Sequence, residues 1–260
     1  MKDVDKHMSS ILKCAKKSGC VLILDFDGTL APIVSHHRKA SMSSRLRTVL
    51  RVLGERYPVA IVSGRSLEDI QKRVRIPGIS YAGSHGLEFL MAPSRTPISV
   101  PIPHRTMHIF RLAKRKLANL AMRYPQIRPE DKGMSYALHY RRLAKAEGME
   151  FVREANAKIA AYAHTHSIRI INDLSTFDIM PNSVSTKGQC ALEMFRILRE
   201  HSDTMPIYIG DSLTDEDAFR ALADGITIRV GKSASSAARY YFKTRSRVDE
   251  FLRSLATEKI

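Results

Sequence analysis

The chain lacks the features that mark several classes of protein. No apolar run is long enough to cross a bilayer, so no membrane-spanning helix and no membrane partner are expected. The opening stretch MKDVDKHMSSILKCAKKSGC does not read as a secretory signal, because Lys13, Lys16 and Lys17 break its short apolar patch. Cysteine is scarce. Cys14, Cys20 and Cys190 are odd in number and carry no metal-like spacing, which excludes a disulfide framework and fits reduced thiols in a cytoplasmic protein. There is no internal repeat and no low-complexity tract. Acidic residues are also in deficit: 26 Asp and Glu stand against 42 Lys and Arg, a formal charge of +16. Such a surplus raises nucleic-acid binding as a possibility. However, the basic residues are dispersed, and the tightest cluster, Lys114-Arg115-Lys116, lies on a helix-like stretch whose simplest reading is a solvated face. No nucleic-acid partner is expected, although a positive potential helps to attract an anionic substrate.

What the chain does have is a 44% hydrophobic content, ample for a core, in a regular rhythm. A short amphipathic helix over 4–18 leads into a buried strand, Val21–Leu24. A polar, His-rich connection (34–44), a helix (45–57), a strand (59–62), a helix capped by Ser66 with Asp69, and a strand (79–82) follow. Strand, helix, strand, helix, strand predicts a doubly wound parallel sheet, class α/β. Four prolines in 93–103 read as a linker. Beyond them the pattern becomes helix (106–123), two strands (126–130, 135–141), helix (149–164), two strands (167–172, 176–180), an α+β unit with an antiparallel sheet. The first rhythm resumes with a helix (186–200), a strand (206–209), a helix (214–223), a strand (226–230) and a helix (248–255). The predicted organisation is a discontinuous core, 1–102 and 182–260, with an inserted lid at 103–181.

Polar residues stand at four strand ends: Asp25 and Asp27, Ser63, His85, and Asp211. In open α/β sheets ligands bind outside the carboxyl ends of the strands. Adjacent carboxylates repel, so Asp25 and Asp27 call for a cation, a shared proton or a lysine. Each position also has a plainer explanation. Asp27-Gly28 and Ser63-Gly64 are ordinary turn dipeptides, and for His85 a hydrogen-bonded core histidine is the preferred reading. Thr214-Asp215-Glu216-Asp217 makes a helix cap with acids favoured by the dipole. Lys187 opposes the dipole at a helix start, which is tolerable on a surface and better explained by an anion beside it. Together these residues suit phosphoryl transfer. Asp25 would attack phosphorus, and Asp27 would protonate the leaving oxygen and then activate water. Asp211 would complete an oxygen-rich Mg²⁺ site, and Ser63, Gly64 and Lys187 would bind the phosphoryl group.

DFDGTL at 25–30, Ser63, Lys187 and GDSLTDEDAF at 210–219 match, in order, the four motifs of the haloacid dehalogenase superfamily. With LDFDGTLAPI at 24–33, VSGRS at 62–66, GSHGLE at 83–88 and EDKGMSYALHYR at 130–141, nearly the whole chain resembles the trehalose-6-phosphate phosphatases within it. The resemblance implies a Rossmann-like core with an α/β cap, and a cytoplasmic Mg²⁺-dependent phosphatase of trehalose biosynthesis working through an aspartyl phosphate. It implies metal ligation by Asp25, Asp211 and the Asp27 carbonyl, support from Asp215, and sugar recognition by Glu130, Lys132 and Arg141. Asp178 stands where the family has Glu, and His85 lies in a loop on the substrate side. Ser212 replaces a second Asp, which predicts weaker metal binding or a looser loop. Two other readings are carried: a related phosphatase for another sugar phosphate, and a catalytically silent binding module, against which the intact Asp25/Asp27 pair argues.

Overall fold

The computed structural model describes residues 1–34, 39–94, 96–173, 175–182 and 186–257. The histidines of the predicted 34–44 connection, His36 and His37, lie outside the described residues. No helix among the described residues is long and apolar enough to cross a membrane. The chain divides into two compact units, residues 1–99 with 185–260, and residues 100–184.

In chain order the first unit begins with β1 (Lys2–Asp3), α1 (Met8–Ser18), β2 (Cys20–Leu24), α2 (Ser44–Gly54), β3 (Val59–Val62), α3 (Leu67–Val74), β4 (Ser80–Gly83), β5 (Glu88–Leu90) and β6 (Ile98–Ser99). The second unit follows as α4 (His104–Ala121), β7 (Arg128–Asp131), β8 (Tyr136–His139), α5 (Lys145–Ala163), β9 (Ile168–Asp173) and β10 (Thr176–Pro181). The first unit resumes with α6 (Lys187–Leu198), β11 (Met205–Gly210), α7 (Asp215–Ala221), β12 (Ile226–Val230), β13 (Tyr240–Phe242) and α8 (Ser246–Thr257).

The large sheet runs β1-β13-β12-β11-β2-β3-β4-β5-β6. It is parallel from β1 to β4. Every residue of β2 is buried because both faces are covered. Leu22 and Leu24 join a core with Ile11 of α1, Leu50 of α2, Ile70 of α3 and Phe251 of α8. Val21 and Ile23 join the opposite core with Ala191 and Met194 of α6 and Phe219 of α7. From β2 the chain winds one way through β3 and β4 and later returns on the other side as β11, β12 and β13. The switch point of the sheet is therefore at the carboxyl end of β2.

Two features depart from the sequence reading. The edge is not parallel: β5 and β6 pair antiparallel beyond β4, and β6 lies inside the proline-rich stretch expected to be only a linker. The sequence pattern gives no sign of β1 at the edge or of β13 beside it, because strands of two and three residues are too short to show a period. Ser66 caps α3 as expected, accepting from the Asp69 amide.

The second unit is the predicted α+β unit, a fully antiparallel sheet in the order β7-β8-β10-β9. Tyr136 and Leu138 of β8 and Phe177 and Ile179 of β10 pack on Phe110 and Leu117 of α4 and on Phe151 and Ile159 of α5. Phe151 is fully buried and in ring contact with Tyr124, Tyr140 and Phe177. Truncating it leaves a cavity that neighbouring rings cannot fill, a loss of about 3–5 kcal/mol. Phe151→Ala is therefore expected to raise amide exchange across 100–184 while the β2 amides keep wild-type protection, as read by hydrogen exchange.

Candidate active site

The site is built on β2 and its two neighbours. Register with β11 continues past β2, so that the Asp25 amide donates to the Ile209 carbonyl at 2.9 Å. Asp25 is buried, and Asp27 is partly exposed two residues on. On the other side, Ser63 follows β3 and donates its amide to Ala82 of β4 at 2.9 Å, and its side chain is buried. Asp211 follows β11. Gly28, at φ +83°, presses its α-carbon against the Asp211 carboxylate so closely that a β-carbon would lie 1.9 Å from Oδ2. Only glycine allows both the left-handed turn and that approach.

Lys187 is the first residue of α6. Thr186 caps the helix through a capping box with Gln189. The anions that offset the unfavourable dipole are protein carboxylates: the buried ammonium lies 2.5 Å from Asp25 Oδ1 and 2.7 Å from Asp215 Oδ1. Asp215 is correspondingly more than a helix-capping acid. Thr214 makes no side-chain cap, and the expected cap is replaced by a network centred on Asp215. Asp215 Oδ1 also accepts from the buried Tyr208 hydroxyl at 2.7 Å. Its Oδ2 accepts from the Asp211 and Ser212 amides and, at 2.7 Å, from the Ser212 hydroxyl. Ser212 thus ties the loop down through Asp215.

Asp25, Asp211 and Asp215 offer oxygens within 4.8 Å of one another. With Lys187 as the only cation in direct contact with this cluster among the described residues, the centre carries an excess of two negative charges when all are ionised. Burial, reinforced by Asp215 and Asp27 against the pull of Lys187, pushes Asp25 up to about 7. Burial, with Asp25 and Asp215, pushes Asp211 up to about 9. Asp215 moves the other way, below the usual carboxylate range: burial opposes this, but Lys187, Ser212 and Tyr208 overcome it. Asp25 Oδ2 and Asp211 Oδ1 are buried and accept no hydrogen bond. An open Asp211 oxygen among hard carboxylate oxygens with a surplus of negative charge fits a divalent cation such as Mg²⁺, and leaves the open Asp25 oxygen for a second partner. Both oxygens of Asp215 are already engaged, which suits an orienting role.

Gly64 and His85 meet as well. His85 sits at φ 57° within a left-handed run from Ser84 to Gly86, and its amide donates to the Ser63 carbonyl at 3.0 Å. Its buried ring covers Gly64, where a β-carbon would lie 2.6 Å from Nε2. The ring is buried and shapes the Ser63-Gly64 turn.

In the second unit Glu130, Ala137 and Asp178 are register partners across β7, β8 and β10. Lys132 Nζ lies 3.0 Å from Asp178 Oδ2, and Glu130 Oε2 lies 2.8 Å from His139 Nε2. Arg141 does not share that row. It is exposed, beyond the end of β8, on the wall of an open cleft of about 590 Å³ that also includes Tyr140 and Asn172. Three residues escaped the sequence reading. Arg65 grips Asp27, Tyr208 holds Asp215, and His139 contacts Glu130. The first two left a signal, since an arginine and a tyrosine within or just after buried strands must find polar partners.

The fold is that of the haloacid dehalogenase superfamily. A family model described as trehalose-phosphatase matches residues 23–247. The chain is 30% identical to a trehalose 6-phosphate phosphatase of Zea mays, over 98% of this chain and 76% of that protein. It is 31% identical to a trehalose-phosphate phosphatase of Mycobacterium marinum, over 98% and 68%. Among solved structures, the C-terminal domain of a trehalose-6-phosphate phosphatase from C. albicans superposes with a TM-score of 0.85 at 20% identity, covering 96% of each chain. The chain belongs to the trehalose-phosphatase family, and is a phosphoric monoester hydrolase.

The raised carboxyls give a pH prediction. Without a cation, folded Asp25 and Asp211 hold protons that the unfolded chain, with carboxyls near 4, has released. Their contribution to stability is therefore present at low pH and lost as pH rises through 7 and 9. Thermal melts in chelator are expected to show Asp211→Asn close to wild type at pH 5 and more stable than wild type at pH 9. A difference independent of pH contradicts this.

Proposed function

We propose that this protein hydrolyses trehalose 6-phosphate to trehalose and phosphate through a phosphorylated Asp25. The observation that carries this is the placement of Asp25. It is buried at the sheet's switch point, with one oxygen on Lys187 and the other open, beside Asp211. An attacking carboxylate needs one oxygen held and one free. Ser63, with Gly64 and Lys187, binds the phosphoryl oxygens. The Asp25 oxygen attacks phosphorus, the P–O bond to the sugar breaks, and Asp27 gives its proton to the leaving oxygen. Water then attacks phosphorus, passes a proton to Asp27, and returns Asp25 as a carboxylate. Asp211 and the Asp27 carbonyl, with the Asp25 oxygen that does not attack, would hold Mg²⁺, which when bound neutralises phosphoryl charge and the surplus of the acid cluster.

The substrate assignment rests on the family and on the second unit, where Glu130, Lys132, Asp178 and Arg141 are the proposed sugar contacts. A carboxylate accepts from sugar hydroxyls, and the cations donate to hydroxyls or phosphate. Asp178 is one methylene shorter than the usual Glu, and Lys132 lies against it.

A panel of sugar phosphates read by phosphate release tests the assignment. Trehalose 6-phosphate is expected to give the highest kcat/KM, with activity lost in chelator and restored by Mg²⁺. Asp25→Asn is expected to lower the rate by about a thousandfold or more. Equal turnover of glucose 6-phosphate contradicts the substrate, and an active Asp25→Asn contradicts the nucleophile.

A further inference from the structure

Arg65 has no part in the chemistry above, yet it is the most heavily tethered cation beside it. Its side chain is 6% exposed. Nε and Nη2 donate to the two oxygens of Asp27 at 2.6 and 2.7 Å, and Nη1 donates to Asp69 at 2.8 Å. Asp69 also accepts from Arg73 at 2.8 Å, and Arg73 donates to the Ala40 carbonyl. The guanidinium lies 5.6 Å from the centre of the Phe26 ring. Its main chain is held too: the Arg65 amide donates to Ser63 Oγ at 3.2 Å, and the Arg65 carbonyl accepts from the Ser84 amide at 2.6 Å. The cation is therefore anchored to β3, α3 and the loop after β4, while its fork faces a carboxylate that is 42% exposed.

A guanidinium fork fixes the plane of the carboxylate it holds, which a lysine cannot do. An ionised carboxylate has about four acceptor sites, and the fork uses one on each oxygen. The remaining sites stay available on the open side of Asp27. We propose that Arg65 is a positioning residue for Asp27, holding its carboxyl so that the side left free by the fork faces the reacting atoms: protonated there, Asp27 gives its proton to the leaving oxygen in the first step, and as a carboxylate it takes the water proton on that lone pair in the second. This rests on the Asp25/Asp27 reading above. In the first step the proton moves from Asp27 to the sugar oxygen as the P–O bond breaks. In the second, the water proton moves to Asp27 as the Asp25–phosphorus bond breaks.

The roles separate by leaving group. A sugar alkoxide needs a proton to depart, whereas p-nitrophenolate leaves without one. Both substrates need the base in the second step. Arg65→Gln is expected to slow trehalose 6-phosphate turnover about 10- to 100-fold, with KM within about twofold of wild type. With p-nitrophenyl phosphate it is expected to release one nitrophenolate per enzyme at the wild-type rate, followed by slow turnover. Arg65→Lys, which keeps the charge and one donor, is expected to recover part of the loss and keeps the test open if Arg65→Gln does not fold. In an Asp27→Asn background, Arg65→Gln is expected to add no further loss. The proposal is overturned if the nitrophenolate burst slows as much as sugar phosphate turnover, if the losses in the double variant multiply, or if Arg65→Gln is as fast as wild type. Wild-type sugar phosphate turnover by Asp27→Asn would instead remove the acid/base reading, and this proposal with it, whereas an active Asp25→Asn would remove the nucleophile and the second step written here, and leave only the first-step role of Asp27 and Arg65.

Discussion

The first unit depends on one buried ammonium. Lys187 Nζ sits between Asp25 and Asp215, each within 2.7 Å, with all three side chains almost completely buried. Without it two carboxylates would face each other away from water. Removing one member of such a buried group typically costs about 3–5 kcal/mol, because the charge left behind has no partner. Much of the surrounding structure sets this contact. The capping box places Lys187 at the first turn of α6, and pairing of β2 with β11 sets Asp25 beside the loop that leads to Asp215 at the start of α7. Tyr208 and the Ser212 loop then consume the remaining capacity of Asp215.

That arrangement satisfies only part of the negative charge. One oxygen of Asp25 and one of Asp211 are left open, and burial raises both groups well above an ordinary carboxyl. Protons stabilise the cluster when no cation is bound, and a divalent cation would displace them. The same imbalance suits a phosphatase, since a centre that holds a cation can also receive a phosphoryl dianion. Gly28 is the geometric counterpart of this electrostatics: its missing side chain is the space into which Asp211 leans.

The sheet's buried strands were legible because β2, β3 and β11 are short apolar runs ended by polar residues, and the antiparallel unit because β8 alternates. The Asp25–Lys187–Asp211 constellation was legible through the ordered motifs that the chain shares with the haloacid dehalogenase superfamily. The partners of each group were not. Lys187 alone gives no indication that its anions are Asp25 and Asp215, and the helix-cap reading of Thr214–Asp217 hid the role of Asp215. Asp27 and Arg65 are 38 residues apart, and only the neighbouring positions of β2 and β3 bring them together. The edge strands were too short to show a period. Arg141 follows β8 closely in sequence, but register, which spacing alone does not supply, puts it outside the Glu130–Asp178 row.

The central claim is that Asp25 carries the phosphoryl group in transit. Rapid acid quench with substrate labelled in its phosphoryl group tests it most directly. The account predicts label on the peptide containing Asp25, released by hydroxylamine as expected of an acyl phosphate and absent from Asp25→Asn. Label on another residue, or none at any time while phosphate is being released, contradicts it.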